Sequence, residues 1–178
     1  MIPEDAKRIL HEGAVLLEGM GLTWWLSAGT LLGAYRDGFS DAFLERDSDI
    51  DVGVLGDERY QEIKETLERA GFAVHTTYPL ADHWPQLAMV KDGIIFDIYF
   101  FRPEGEMLVN VSSEGVMAKP AEMVEGLVML FVDGHQYPAP GPIPDYLTLR
   151  YGPDWQRPRP KFACWAQGAA NLIRWSRA

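Results

Sequence analysis

Aspartate alternates with other residues along one predicted β-strand, and this pattern constrains the fold more than any other. The strand spans residues 47–54, DSDIDVGV. Because successive side chains of a strand point to opposite faces, Asp47, Asp49 and Asp51 share one face, about 7 Å apart. Aspartate is depleted in strands, and aligned carboxylates repel one another unless a cation lies between them. The chain must therefore place this face either in solvent or around a positive charge.

A bound divalent cation would remove this repulsion. Mg²⁺ binds carboxylate oxygens, usually one or two of them together with substrate phosphates. The alternative is an edge strand with a solvated acidic face, which explains a D-x-D pattern alone equally well. Asp97 favours the metal, because it lies in the apolar run 94–101, where a carboxylate is costly unless it is paired or metal-bound. If this run forms a neighbouring strand, Asp97 completes a three-carboxylate cluster; otherwise, a buried Arg or Lys would pair with it.

A short segment before the acidic strand has the features of a phosphate-binding corner. The sequence SAGT (27–30) lies between a predicted buried strand, 23–27, and a short helix, 31–36. Gly29 lets the backbone approach a phosphate closely, and the free amides at a helix N-terminus attract anions. The hydroxyls of Ser27 and Thr30 would add hydrogen bonds. Thr30 has a simpler alternative role as a helix cap.

Hydrophobic spacing and turn residues predict a single domain over residues 1–178 that mixes helices and strands, an α/β or α+β fold. The turn KDG (91–93) predicts a hairpin between two strands, and Asp133-Gly134 marks another. Further helices are predicted at 3–20, 57–70, 144–152 and 162–175, and further strands at 72–78, 86–90, 94–101 and 107–112.

Charge and cysteine content exclude several classes of protein. The chain has 16 Lys and Arg against 26 Asp and Glu, a net charge of −10, so it lacks the attraction on which nucleic-acid binders rely. An anionic membrane surface would repel it too, and its apolar runs are far shorter than the ~20 residues of a membrane span. Cys164 is the only cysteine, so no internal disulfide forms. We expect a cytoplasmic protein with neither a nucleic-acid partner nor a membrane span.

The order of these parts resembles the nucleotidyltransferase superfamily, and the match becomes more specific within it. The segments WWLSAGTLLGAYRDGF (24–39) and RDSDIDVGV (46–54) resemble the LicD family, in which a GTLLG corner precedes an acidic strand. A later part is similar as well, since DYL (145–147), YG (151–152) and DW (154–155) resemble the closing segment of that family. The resemblance covers most of residues 24–155.

The resemblance implies a nucleotidyltransferase-like fold, with a mixed sheet flanked by helices. It also implies transfer of a phospho-alcohol from a CDP-activated donor to a hydroxyl of a glycan or related small-molecule acceptor. Phosphocholine from CDP-choline is the bacterial example, and fukutin-type relatives use CDP-ribitol. By position, Asp49 and Asp51 would bind Mg²⁺ or Mn²⁺, and Asp97 would be a third metal ligand or the catalytic base. Ser27, Gly29, Thr30 and Arg36 would face the donor phosphates.

Two other functions stay open on the sequence. The same fold could transfer a nucleotide from an NTP to a small molecule or protein, or it could be a catalytically silent nucleotide-binding module. Trp24 and Trp25 are most simply core residues, although one could stack on a base. Trp84 either anchors its loop or contacts a choline-like ammonium. The four histidines have no metal-ligand spacing, and Arg150 belongs to a basic tract expected to be solvated.

Overall fold

A computed structural model describes residues 3–41, 47, 49–80, 82–112, 115–158 and 172–174. Within these ranges the helices are α1 (Pro3–Gly19), α2 (Ala28–Asp37), α3 (Tyr60–Arg69), α4 (Glu122–Glu125) and α5 (Ile143–Tyr151). The strands are β1 (Trp24–Leu26), β2 (Asp49–Leu55), β3 (Ala73–Tyr78), β4 (Gln86–Lys91), β5 (Ile94–Glu104), β6 (Met107–Ser112), β7 (Gly115–Pro120), β8 (Val128–Val132), β9 (His135–Ala139) and β10 (Leu172–Arg174).

Eight of these strands form one mixed sheet, in the order β1-β2-β5-β6-β7-β10, with β4 also paired to β5 and β3 to β4. The strands β2 and β5 are parallel, and their register places Asp51 directly opposite Asp97. The strands β8 and β9 form a separate hairpin around Asp133-Gly134. The predicted mixed sheet flanked by helices is confirmed, and so are the hairpins at 91–93 and 133–134.

One face of the sheet carries the larger hydrophobic core. Alternation in β2 turns Val52 and Val54 into this core, where Phe96 and Ile98 of β5 join them. Helices α1 and α3 cover it with side chains at helical spacing, and each buried Leu- or Ile-sized side chain stabilises the fold by about 1.5–3 kcal/mol. The core residues of these helices are Ala6, Ile9, Leu10, Ala14, Leu17, Tyr60, Ile63 and Leu67. Burial of the apolar face leaves the acidic face of β2 on the opposite side.

The helix predicted at 57–70 begins later, at Tyr60. Asp57 lies before this helix, and its Oδ2 accepts a hydrogen bond of 2.7 Å from the Trp84 backbone N–H. The Trp84 ring stacks on Tyr60 with the ring centroids 4.1 Å apart. Trp84 therefore anchors its loop to α3 and packs against the larger core, as the simpler sequence interpretation held.

The helix predicted at 162–175 is wrong where the structure describes it. Residues 172–174 form β10, which pairs antiparallel with β7, while the rest of that segment lies outside the described residues. The strand β7 and the short helix α4 were not predicted. The open edge of β7 offers unpaired backbone groups, and pairing with them outweighs the local helical spacing. No helix in the described ranges is both long and apolar enough to cross a bilayer.

Candidate metal and phosphate site

Three carboxylates meet on the acidic face of the sheet. Asp49, Asp51 and Asp97 each offer one oxygen, and these oxygens all lie within 4.8 Å of one another. The parallel pairing of β2 with β5 brings Asp97 beside Asp51, and Asp49 precedes Asp51 by two residues on the same face. Hard divalent cations take carboxylate oxygens in this way. The cluster is therefore the place in the described chain where a metal ion would be held.

The electrostatics of the cluster favour a cation. Asp51 is buried, and this burial raises its carboxyl pKa well above the usual range, with further increases from Asp49, Asp47 and Asp97. Burial also raises the pKa of Asp97 to about 6. Asp97 Oδ1 is buried without a hydrogen-bond partner among the described residues, and no described Arg or Lys forms a salt bridge with Asp97. The alternative of a simple buried ion pair at Asp97 therefore finds no support.

The predicted corner is hydrogen-bonded to the acidic strand. The Gly29 backbone N–H donates to Asp51 Oδ2 at 3.0 Å, and the Asp51 backbone N–H donates to Thr30 Oγ1 at 2.7 Å. Thr30 is thus a link to β2 rather than the cap of α2, whose N-cap position is Ser27. A Cβ on Gly29 would lie 3.2 Å from Asp47 Oδ2. The carboxylates of Asp47 and Asp51 therefore approach the Gly29 backbone closely, and an added side chain would force them to shift.

Tyr146 of α5 supports this corner and was missed as a site residue. Its hydroxyl lies 3.2 Å from Ser27 Oγ, and the backbone of Ala28 hydrogen-bonds the same hydroxyl. Ala28 has a φ of 40°, a strained value for a residue with a side chain, and such strain concentrates at functional sites. The sequence did contain a signal for Tyr146, because the DYL segment (145–147) resembles the closing segment of the LicD family. That resemblance assigned no role to the tyrosine. We infer that Tyr146 holds the strained corner in place.

Arg36 lies away from the carboxylates. It is seven residues after Gly29 in α2, which places it about 10 Å further along the helix axis. Its guanidinium contacts Asp37 at 2.6 Å, and Nη1 donates to the Trp155 carbonyl at 3.3 Å. The contact of Arg36 with the donor phosphates stays a prediction. In this structure its guanidinium contacts Asp37 and the Trp155 carbonyl instead.

A buried arginine, a buried lysine and a tyrosine lie on the same side of the sheet and were also missed. Arg150, expected in solvent, is buried with Lys119. The pKa of the Tyr99 hydroxyl is raised well above its usual range by burial and then by Asp51, Asp97 and Asp49, while Arg150 opposes this shift. The acidic cluster therefore has a positively charged neighbour. Neither of these two basic residues belongs to a motif to which the sequence alone assigns a role.

The raised pKa of Asp97 leads to a testable prediction about how pH changes the stabilisation of the protein by Mg²⁺. Because the folded pKa of about 6 exceeds 3.8, the ordinary pKa of an aspartate side chain, the metal-free protein binds more protons when folded than when unfolded between these pH values. The contribution of Asp97 to the free energy of unfolding therefore decreases as the pH rises through this range. Mg²⁺ competes with the proton, so we expect it to raise the melting temperature more at pH 7.5 than at pH 5. Thermal unfolding at both pH values, with Mg²⁺ and with EDTA, measures this; an equal shift would contradict it.

The mixed sheet flanked by helices, with its acidic strand beside the Gly29-Thr30 corner, has the architecture of a nucleotidyltransferase fold. The solution structure of the antibiotic-resistance factor ANT(2'')-Ia matches with a TM-score of 0.57 and 14% identity, covering 96% of this chain and 88% of that one. The crystal structure of a putative nucleotidyltransferase from Thermotoga maritima matches with a TM-score of 0.50 and 16% identity, covering 79% of this chain and 80% of that one. At these identities the likeness shows the fold alone.

The chain belongs to the LicD/FKTN/FKRP nucleotidyltransferase domain family, whose model matches residues 21–141. The ribitol-5-phosphate transferase FKTN of Mus musculus is 27% identical over 158 residues, 86% of this chain and 33% of that protein. The FKTN of Homo sapiens is 25% identical over 160 residues, 87% of this chain and 34% of that protein. The chain thus spans about a third of the length of these relatives.

Proposed function

We propose that this chain is a metal-dependent transferase that moves a phospho-alcohol from a CDP-activated donor to a hydroxyl of a glycan or small-molecule acceptor. The observation that carries the proposal is the convergence of Asp49, Asp51 and Asp97 within 4.8 Å beside the Gly29-Thr30 corner. Mg²⁺ or Mn²⁺ held there would neutralise the charge on the donor diphosphate and act as a Lewis acid. The names of the FKTN relatives support a phospho-alcohol as the transferred group.

In this reaction the acceptor oxygen forms a bond to the phosphorus that carries the alcohol. The bond from that phosphorus to the bridging oxygen breaks, and CMP leaves with the electron pair. Asp97, whose Oδ1 lacks a hydrogen-bond partner among the described residues, would either share the metal with the other two carboxylates or receive the proton of the acceptor hydroxyl. The amide of Gly29 and the hydroxyls of Ser27 and Thr30 would orient the donor phosphates.

The identity of the donor tests this function most sharply. We expect calorimetry to show Mg²⁺-dependent binding of a CDP-alcohol, with CDP-ribitol and CDP-choline as probes, and transfer assays to release CMP. Binding of CTP or ATP with release of pyrophosphate would favour transfer of a nucleotide instead. Absence of Mg²⁺-dependent binding for every nucleotide would indicate a silent module. Either of these results would contradict the proposal.

A further inference from the structure

Lys119 is a buried amine without a hydrogen-bond acceptor. It lies on β7 with 1% of its surface exposed, and its Nζ has no partner in the described part of the chain. Three aromatic rings surround the amine, with Nζ 4.3 Å from the Trp25 ring centroid, 3.4 Å from that of Phe101 and 5.5 Å from that of Tyr146. We call these three rings the aromatic box.

The aromatic box lies on the same face of the sheet as the candidate metal site. The Trp25 indole covers Gly53, where an added Cβ would be 2.3 Å from Nε1. Gly53 follows Asp51 by two residues on the same face of β2, about 7 Å away. Tyr146 joins the two places, because its ring forms one wall of the box while its hydroxyl contacts Ser27 at the phosphate corner.

A second donor in the aromatic box is also unpaired. Trp25 Nε1 is buried and has no acceptor among the residues that the structure describes. Each buried donor without a partner costs about 1–3 kcal/mol, and such groups are rare enough to require an explanation. Burial, and then the charge of Arg150, hold the pKa of the Lys119 amine well below its usual range. The chain therefore keeps two costly donors on the same face of the sheet as its candidate active site, and none of the described residues offers either of them an acceptor.

We propose that Lys119 and Trp25 select the group transferred by this site, taking a hydroxyl-rich, uncharged alcohol and excluding a quaternary ammonium alcohol. This inference rests on the proposed function. The oxygens of a polyol supply the acceptors that Nζ and Nε1 lack. The flexible four-carbon stem of Lys119 lets its amine leave the rings and reach such an oxygen.

The same geometry disfavours choline. Aromatic boxes bind quaternary ammonium groups through their ring faces, but here the chain's own amine already occupies the box. A trimethylammonium group also donates no hydrogen bond and accepts none, so it would leave both donors unpaired. The charge of Arg150, close enough to influence Lys119, would in addition repel it. The selectivity thus follows from occupancy, hydrogen bonding and charge together.

The test compares ligands that differ only in the alcohol. Calorimetry with Mg²⁺ would measure CDP-ribitol, CDP-choline and CMP on the wild type, on Lys119→Met and on the control Lys64→Met, which makes the same substitution in α3, away from the aromatic box. We expect the wild type and the control to bind CDP-ribitol about tenfold more tightly than CDP-choline. Lys119→Met should lose most of this preference, keep its affinity for CMP, and unfold at a higher temperature because a costly buried amine is gone.

The possible results separate the two proposals. Equal binding of both CDP-alcohols by the wild type would overturn the selectivity while leaving the proposed function intact. The selectivity is also overturned if Lys119→Met keeps the preference, which would indicate an internal water or a purely structural role for the amine. If neither CDP-alcohol binds in the presence of Mg²⁺, the proposed function fails, and the selectivity fails with it.

Discussion

Asp51→Asn is expected to lower the transfer rate about a thousandfold, equivalent to about 4 kcal/mol in the activation barrier. The variant removes one charged ligand from the cluster of Asp49, Asp51 and Asp97. It should nevertheless fold and melt at a higher temperature than the wild type, because a buried carboxylate repelled by three others is replaced by a neutral amide. The Gly29 N–H still finds an acceptor in the asparagine oxygen. Loss of activity combined with gain of stability distinguishes a functional residue from a structural one.

A matched control for this substitution is Asp92→Asn. Asp92 is an exposed aspartate in the turn between β4 and β5, five residues before Asp97, and it forms a salt bridge with Arg8 at 2.8 Å. We expect it to keep the wild-type rate, since an exposed ion pair contributes about 0–1 kcal/mol to stability and takes no part in the site. Steady-state kinetics and thermal unfolding of both variants, together with Asp49→Asn, measure this. Wild-type activity in both Asp49→Asn and Asp51→Asn would remove the role assigned to the metal.

Gly53→Ala is expected to destabilise the fold by about 2 kcal/mol or more, because overpacking of a tight contact costs this much. The added Cβ would lie 2.2 Å from Trp25 Cε2, and Trp25 is fully buried between Phe101 and Lys119. In a chain of this size such a loss lowers the melting temperature by about 4–8 °C. Displacement of the indole should also change its fluorescence.

Gly19→Ala controls for the loss of a glycine alone. No heavy atom lies within 4 Å of the added Cβ at this position, which is the last residue of α1. We expect its melting temperature to equal or exceed that of the wild type, because alanine favours the helix over glycine by about 1 kcal/mol. An equally stable Gly53→Ala would show that β1 and β2 do not pack as described.

The central strands of the fold could be predicted because local and tertiary requirements agree there. Alternation in residues 47–54 assigns one apolar face and one acidic face, and the apolar run around Asp97 supplies the neighbouring strand. Residues 172–174 could not be predicted, since their hydrophobic spacing also suits a helix. Their conformation is decided by the open edge of β7, a partner more than fifty residues earlier in the sequence. The information that fixes β10 is therefore not local.

The same distinction applies to the site. The D-x-D spacing and the glycine corner are local patterns with a chemical meaning, so Asp49, Asp51 and Gly29 could be named from the sequence. Tyr146 and Lys119 could not, because α5 and β7 reach the site only through the tertiary fold. From sequence alone, a lysine in a short strand is expected to be solvated. Only the structure shows that Lys119 is instead buried against three aromatic rings.

Crystals grown with Mn²⁺, which takes the same oxygen ligands as Mg²⁺, test the role of the three carboxylates most directly. We expect an anomalous difference peak bound by oxygens of Asp49, Asp51 and Asp97, and its absence in Asp51→Asn crystals grown identically. Two results would contradict the metal site on which the proposed chemistry depends. One is the absence of a peak at these carboxylates in the wild type, and the other is a peak bound by other residues while Asp97 pairs with a basic side chain.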